Sequence, residues 1–179
     1  MPTEDTGLVR SAVEGDAGAF GKLYEKYSVE LYRYACYCIG SGTLAEDAVQ
    51  DAVMAAFSQI SRLRSEDSFK LWIFKILSNT CRRYINEISR ARKETDYDDI
   101  TSDEENGFLS DTPSDLSPDI AAARAKLTPE ERSIVILSVL YGYKSRDIAQ
   151  IVGSNPGTVR SKLSRTLEKM RNDLEKEAP

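Results

Sequence analysis

Lys144-Ser-Arg-Asp-Ile-Ala-Gln-Ile-Val-Gly-Ser-Asn-Pro-Gly-Thr-Val-Arg-Ser-Lys-Leu-Ser-Arg165 reads as two helices joined by a tight turn. Ile148, Ala149 and Val152 form the apolar face of the first helix. Gly153 opens the turn, where a residue without a Cβ bends most easily. Pro156 falls in the first turn of the second helix, where its missing N–H costs nothing. Val159, Leu163, Leu167 and Met170 recur at helical spacing and are expected to bury one side of that helix. Arg160, Ser161, Ser164 and Arg165 point the other way. Arginine forks and short hydroxyls are the groups that read guanine edges and anchor phosphates. The stretch is a helix-turn-helix with an outer face suited to duplex DNA. A solvated amphipathic hairpin is the plainer reading of the same charges.

A chain of 179 residues has room for one or two small domains, and 41% hydrophobic with 30% charged residues is a globular composition. The formal net charge of −5 has the wrong sign for a nucleic-acid binder, so its distribution matters. Residues 94–120 hold ten acidic residues and no basic one. Residues 62–93 carry nine basic against three acidic side chains, and residues 121–179 carry eleven against seven. Two basic segments are therefore hidden behind one acidic stretch. The chain has no histidine, which removes His-based acid–base catalysis, the common nucleophile pairs and nearly every common zinc site. It also lacks a phosphate-binding glycine loop, so neither enzymatic activity nor a cofactor or metal is expected.

Cys36, Cys38 and Cys81 make an odd count without framework spacing. Cys38 lies on an apolar helix face and is expected in the core. Cys36 points elsewhere, which leaves both burial and an exposed, redox-active thiol open. The N-terminal residues Met1-Pro-Thr-Glu-Asp5 have neither the basic nor the apolar region of a secretory signal. The apolar run near residues 134–140 is too short to span a bilayer. A cytoplasmic chain without membrane insertion is the expectation.

Helical periodicity continues almost throughout, with no convincing period-2 strand. Residues 17–39 place Phe20, Leu23, Tyr24, Tyr27, Leu31, Tyr34, Ala35 and Cys38 in one stripe, and Gly40-Ser-Gly42 ends it. Thr43-Leu-Ala-Glu46 reads as a capping box opening a helix whose apolar side is Ala45, Ala48, Val49, Ala52, Val53, Ala56, Phe57 and Ile60. The polar residues 62–68 read as a loop. A long helix from Phe69 to about Arg92 is expected to turn Phe69, Trp72, Ile73, Ile76, Leu77, Thr80, Tyr84 and Ile88 inward. Residues 94–120 lose all periodicity and have the composition of a flexible linker. A short helix over residues 121–126 follows. Thr128-Pro-Glu-Glu131 is a second capping box, with Pro129 at the first helical position of a helix reaching about Leu140. The expected fold class is all-α. Two small helical domains, residues 1–93 and 121–179, are joined by an acidic flexible linker at 94–120, and the second carries the helix-turn-helix.

Two faces of the first domain are polar without a packing reason. Asp47, Gln50 and Asp51 lie together opposite the apolar side of their helix. Carboxylates near a helix start also suit the helix dipole, which is the structural alternative. On the following helix Lys75, Asn79, Arg82, Asn86 and Lys93 share one edge, just after a loop containing Arg62 and Arg64. Basic residues alternating with amides suit phosphates and exposed base edges, although a solvated face gives the same pattern. Two separated nucleic-acid surfaces in one chain would touch two separated DNA elements.

Five fragments in this order resemble the extracytoplasmic-function (ECF) sigma factors of bacterial RNA polymerase, which carry regions 2 and 4 only. They are Gly15-Asp-Ala-Gly-Ala-Phe20 with Leu23-Tyr24, Ala45-Glu-Asp-Ala-Val-Gln-Asp51, Ser68-Phe-Lys-Leu-Trp-Ile-Phe-Lys-Ile-Leu-Ser-Asn79, Leu127-Thr-Pro-Glu-Glu-Arg132 and Gly157-Thr-Val-Arg-Ser-Lys-Leu-Ser-Arg165. The resemblance covers almost the whole chain. It implies that Asp47, Gln50 and Asp51 dock on the β′ clamp helices of core RNA polymerase, with the β flap as a further contact. It implies that Arg62, Arg64, Lys75, Asn79, Arg82 and Arg83 serve the −10 element of promoter DNA, where an unstacked base is captured at a cost of a few kcal/mol. It implies −35 reading by Arg160, Ser161, Ser164 and Arg165, with Lys162, and an anti-sigma factor as a further partner. The linker would thread near the polymerase active site. Ser154-Asn-Pro156 stands where the family carries an apolar residue after the turn glycine, and Arg146 stands where an acidic residue is common, so promoter sequence does not transfer. A stand-alone helix-turn-helix regulator is the alternative. It would have no use for Asp47, Gln50, Asp51 or the basic edge over residues 75–93.

Overall fold

The structure, a computed structural model, describes residues 5–95 and 118–177. Its helices are α1 Thr6–Val13, α2 Ala17–Ile39, α3 Gly42–Gln59, α4 Phe69–Thr95, α5 Pro118–Ala125, α6 Pro129–Val139, α7 Ser145–Val152 and α8 Pro156–Glu177. Two 3-10 turns, Ile60–Arg62 and Glu66–Ser68, connect α3 to α4. The architecture is all-α, with no strand among the described residues. Most of the stretch read as a flexible linker, residues 94–120, lies outside the described residues. Helix α4 takes its first two positions and α5 its last three.

Side-chain and backbone caps set the helix ends. Asp16 is extended and its Oδ1 accepts from the N–H groups of Gly18 and Ala19 at 2.8 and 3.1 Å, which starts α2. Gly40, at φ 85°, adopts the left-handed conformation that ends it, donating to the Cys36 carbonyl. The expected capping box at Thr43 is corrected. Ser41 leaves Gly40 in an extended conformation, so its own hydroxyl reaches the Leu44 N–H and α3 starts at Gly42. Thr43 is already inside the first turn. The second box forms as expected: Thr128 Oγ1 accepts from the Glu131 N–H, and Glu131 Oε2 accepts from the Thr128 N–H at 2.8 Å.

Helix α1, absent from the sequence reading, is only eight residues long, shorter than the window in which a helical period is read, although Val9 and Ala12 are buried on one face. It is anchored by Asp5, which is 7% exposed and accepts from Lys26 Nζ at 2.6 Å and from the Tyr27 hydroxyl. Burial pushes the Asp5 carboxyl up. The hydrogen bonds from Lys26 and Tyr27 outweigh that and hold it below the usual carboxylate range.

A single cluster of buried side chains runs through both halves of the chain, with α4 at its centre. On one side Phe69, Ile73 and Leu77 are buried, with Trp72, Ile76, Thr80, Tyr84 and Ile88 half-buried along the same stripe. On the other side Phe74, Ser78 and Cys81 are buried too, although periodicity gave α4 only one inward face. Phe74 packs against Tyr34 at 5.6 Å, Tyr141 at 5.7 Å and Tyr143 at 6.0 Å between ring centres. The same packing decides Cys36, which is 1% exposed because the C-terminal half covers the last turn of α2. All three cysteines are buried and free. Two apolar positions turn out wetter than expected. Leu167 is 41% exposed, and buried Thr166 takes its place beside buried Val159 and half-buried Leu163 and Met170, because α8 turns that side to α5 and α6. Phe57 sits at the edge of its face and is half exposed, its ring edge-on to Phe20.

Glu131 carries a pH prediction. The Thr128 N–H bonds its carboxylate and lowers its pKa against a smaller burial effect. A folded-state value below the unfolded 4.5 contributes stability above that value and loses it as pH falls through the folded value. Glu131→Gln is expected to lower stability by up to about 1 kcal/mol near neutral pH, a screened surface effect, and the difference from the wild type is expected to be smaller at about pH 3. Urea denaturation at both pH values checks this.

Candidate nucleic-acid interface

The helix-turn-helix is built from three local devices. Gly153, at φ 71°, closes α7 by presenting its own N–H to the Ala149 carbonyl. Ser154 N–H reaches the same oxygen at 3.0 Å. Asn155 then caps α8, its Oδ1 accepting from the Thr158 N–H at 2.8 Å ahead of Pro156. Ile148, Ile151 and Val159 are fully buried and fix the angle between the helices. Arg160, Ser161, Ser164 and Arg165 are all exposed on α8. Ser161 Oγ donates to the Thr158 carbonyl and Arg165 Nε to the Ser161 carbonyl at 3.2 Å, so these side chains lie along their own helix. Lys162 differs. Its Nζ sits 2.6 Å from Glu130 Oε2, drawn toward α6 and half-buried.

In the N-terminal half, Asp47, Gln50 and Asp51 are exposed on α3. Asp51 Oδ2 accepts from Arg83 Nη2 at 2.7 Å and from the Tyr84 hydroxyl at 2.9 Å. An acidic residue assigned to one surface and a basic residue assigned to another thus share one ion pair. Burial, with the hydrogen bond and charge of Asp51, pushes the Tyr84 phenol up. Beside Gln50 an open apolar groove is lined by Tyr24, Val29, Tyr32, Val49, Val53 and Met54. Val29 is 66% and Met54 65% exposed. Sequence reasoning missed this groove, because single exposed apolar residues on two helices become one patch only when α2 and α3 pack together.

The loop before α4 exposes Arg62 and Arg64. It is braced by α1, a helix the sequence reading lacked. Arg10 forks onto Glu66, Nε at 2.8 Å and Nη2 at 3.1 Å, and that bond lowers the pKa of the Glu66 carboxyl. Lys75, Asn79, Asn86 and Lys93 are exposed along α4. Arg82, on the same edge, leans across to donate from Nη2 to the Val152 carbonyl at 3.1 Å. The surfaces therefore form a basic edge on α4, a basic outer face on α8 and an acidic and apolar patch on α2 and α3. No cluster of metal-ligating side chains occurs among the described residues, and no helix is long and apolar enough to cross a membrane.

Comparison with known proteins matches two families in chain order: Sigma-70 region 2 over residues 23–101 and Sigma-70, region 4 over residues 119–170. The chain is 30% identical over 150 residues to the RNA polymerase sigma factor SigV of Bacillus subtilis, covering 83% of this chain and 86% of that one. It is 28% identical over 181 residues to the ECF RNA polymerase sigma-E factor of Escherichia coli, covering 96% and 94%. Its fold is similar to that of the sigma factor RpoE in complex with the anti-sigma factor NepR from Bartonella quintana, with TM-score 0.73 and 24% identity over 89% of this chain and 98% of that one. A stand-alone regulator is not favoured by a chain that carries both regions. With region 2 on the basic edge of α4 and region 4 on the helix-turn-helix, this protein belongs to the ECF family of RNA polymerase sigma factors.

Proposed function

We propose that the chain joins core RNA polymerase in the cytoplasm, directs it to promoters through separate −35 and −10 contacts, and helps open the duplex, with no turnover of its own. Residues 1–93 and 121–179 act as the two working units, joined through residues 94–120. Asp47, Gln50 and Asp51 dock on the β′ clamp helices, and region 4 meets the β flap. The observation that carries this reading is the placement of two exposed basic faces on different helical halves, α4 with its preceding loop and α8, together with the acidic α3 surface. Arg62, Arg64, Lys75, Asn79, Arg82 and Arg83 serve the −10 element, and Arg160, Ser161, Lys162, Ser164 and Arg165 serve the −35 element. Basic edges can stabilise a displaced strand while an extruded base is held, which offsets a few kcal/mol of unstacking. An anti-sigma factor covering these surfaces is the expected negative regulator.

The direct test is run-off transcription with purified core polymerase and a genomic promoter library. Promoter-specific transcripts are expected only when the chain is added, and none would appear with a stand-alone regulator. Arg165→Ala is expected to cost about 1–3 kcal/mol at promoters whose −35 guanine it contacts, measured by competition binding of the holoenzyme. An equal loss on every sequence would reassign Arg165 to a phosphate. Asp51→Arg is expected to abolish holoenzyme assembly on a sizing column, and normal co-elution would remove the docking role. Asn79→Ala is expected to slow opening more than closed-complex formation. Permanganate reactivity of −10 thymines that is unchanged by that substitution would refute its role.

A further inference from the structure

The segment between α3 and α4 has few anchors of its own. Ile60 and Phe69 are buried at its two ends, and between them Arg62, Arg64, Ser65 and Asp67 are exposed. Its backbone bonds are local: the Leu63 N–H donates to the Ile60 carbonyl at 3.0 Å, and the Ser68 N–H to the Ser65 carbonyl at 3.1 Å. Leu63 and Ser65 are extended, which leaves Arg64 on the stretch between the two 3-10 turns. Helix α1 takes hold of this segment from outside. Val9 and Ala12 bury one side of α1, and Asp5, just ahead of it, is tied to Lys26 and Tyr27 of α2. From that base α1 packs on both 3-10 turns. Arg10 forks onto the two carboxylate oxygens of Glu66 at 2.8 and 3.1 Å, and Thr6 Oγ1 makes a longer contact to Asp67 Oδ1 at 3.5 Å.

We infer that Arg10 is a positioning residue for the −10 contact: its fork onto Glu66 holds the loop in the shape that presents Arg62 and Arg64 to the opened strand, without itself meeting DNA. The inference rests on the −10 contacts proposed above. The side chains of Arg10 and Glu66 are 63% and 32% exposed, and a pair this wet adds little to the stability of the whole fold. The loop is a different matter. Exposed segments with few buried contacts open locally at a small fraction of the global free energy. A pair too weak to matter to the fold is therefore strong enough to set how often the loop holds its shape. Two parallel N–H···O bonds fix direction as well as distance. Glu66 opens the second turn, so fixing its carboxylate fixes the turn that leads into Phe69 and α4. Charge neutralisation is the other use of the same pair, since Glu66 and Asp67 place carboxylates beside two arginines that would meet phosphates. The two roles differ in sign at Glu66. Under neutralisation its removal helps the DNA contact, and under positioning its removal harms it. Geometry favours positioning, because α1 grips the turn at two successive residues and one grip is bidentate.

The test is a double-mutant cycle in holoenzyme on one promoter, with opening followed by permanganate reactivity and closed-complex formation by competition binding. Arg10→Ala and Glu66→Ala are each expected to slow opening by about threefold to fivefold, with closed-complex affinity and the thermal midpoint of the free chain unchanged. The double alanine variant should be no slower than either single one. The swap of Arg10→Glu with Glu66→Arg should recover most of the rate, as a direct pair requires. A loss in Arg10→Ala without one in Glu66→Ala would assign Arg10 to a phosphate, and faster opening in Glu66→Ala would assign the pair to charge neutralisation. Either result overturns the positioning role. Amide hydrogen exchange of the free chain reads the loop without DNA. The Leu63 and Ser68 amides are expected to exchange about threefold to fivefold faster in either single variant, and rates equal to wild type overturn the brace. A wild-type chain that yields no promoter-specific transcripts removes the −10 reading instead, and exchange then still decides whether α1 holds the loop.

Discussion

Phe74, Ser78 and Cys81 must be kept from water on one side of α4 while Phe69, Ile73 and Leu77 are kept from it on the other. A helix buried on two faces needs partners from both halves of the chain, and the other elements are arranged to supply them. Helices α2 and α3 supply them from the first half of the chain, with Tyr34 of α2 reaching Phe74, and α6 and α7 supply them from the second. The strip of α4 left over is narrow and polar, and it holds Lys75, Asn79 and Asn86. Over the first half of α4 this strip is the part left exposed to solvent, whereas further along Arg83, Glu87, Ser89 and Arg90 are exposed as well.

The price of the second face is paid in polar groups. Covering the end of α2 takes water from its last carbonyls, and a buried carbonyl without a partner costs about 1–3 kcal/mol. Arg124 and Arg132 supply those partners from region 4, bringing two positive charges into a poorly solvated seam. An apolar seam of the same area would hold the halves together more simply and more permanently. Arg82 joins the same seam from α4 by donating to the Val152 carbonyl.

Residue pairs across the surface complicate any one-residue, one-role assignment. Asp51 and Arg83 were assigned to different partners, yet they hold each other at 2.7 Å. Exposed pairs of this kind contribute little to stability, so either partner can be released at small cost. Lys162 is likewise held by Glu130 at the border of the α8 face. Under the proposed contacts, polymerase or DNA would have to displace these bonds to reach the side chains.

The amino-acid sequence by itself determined the helical class, the span of α2, the box at Thr128, the left-handed turns at Gly40 and Gly153, and the outward register of Arg160, Ser161, Ser164 and Arg165. Each follows from interactions within one or two helical turns, whose partners are close in sequence. Tertiary structure alone decided the burial of Cys36, the exchange of Leu167 for Thr166, the second face of α4, the groove beside Gln50 and the arginine caps on α2. In each case the deciding neighbour is far away in sequence, as Arg124 is from Tyr37. Local periodicity records that a face is apolar, but only packing determines which faces are brought together and what their polar groups must then bond.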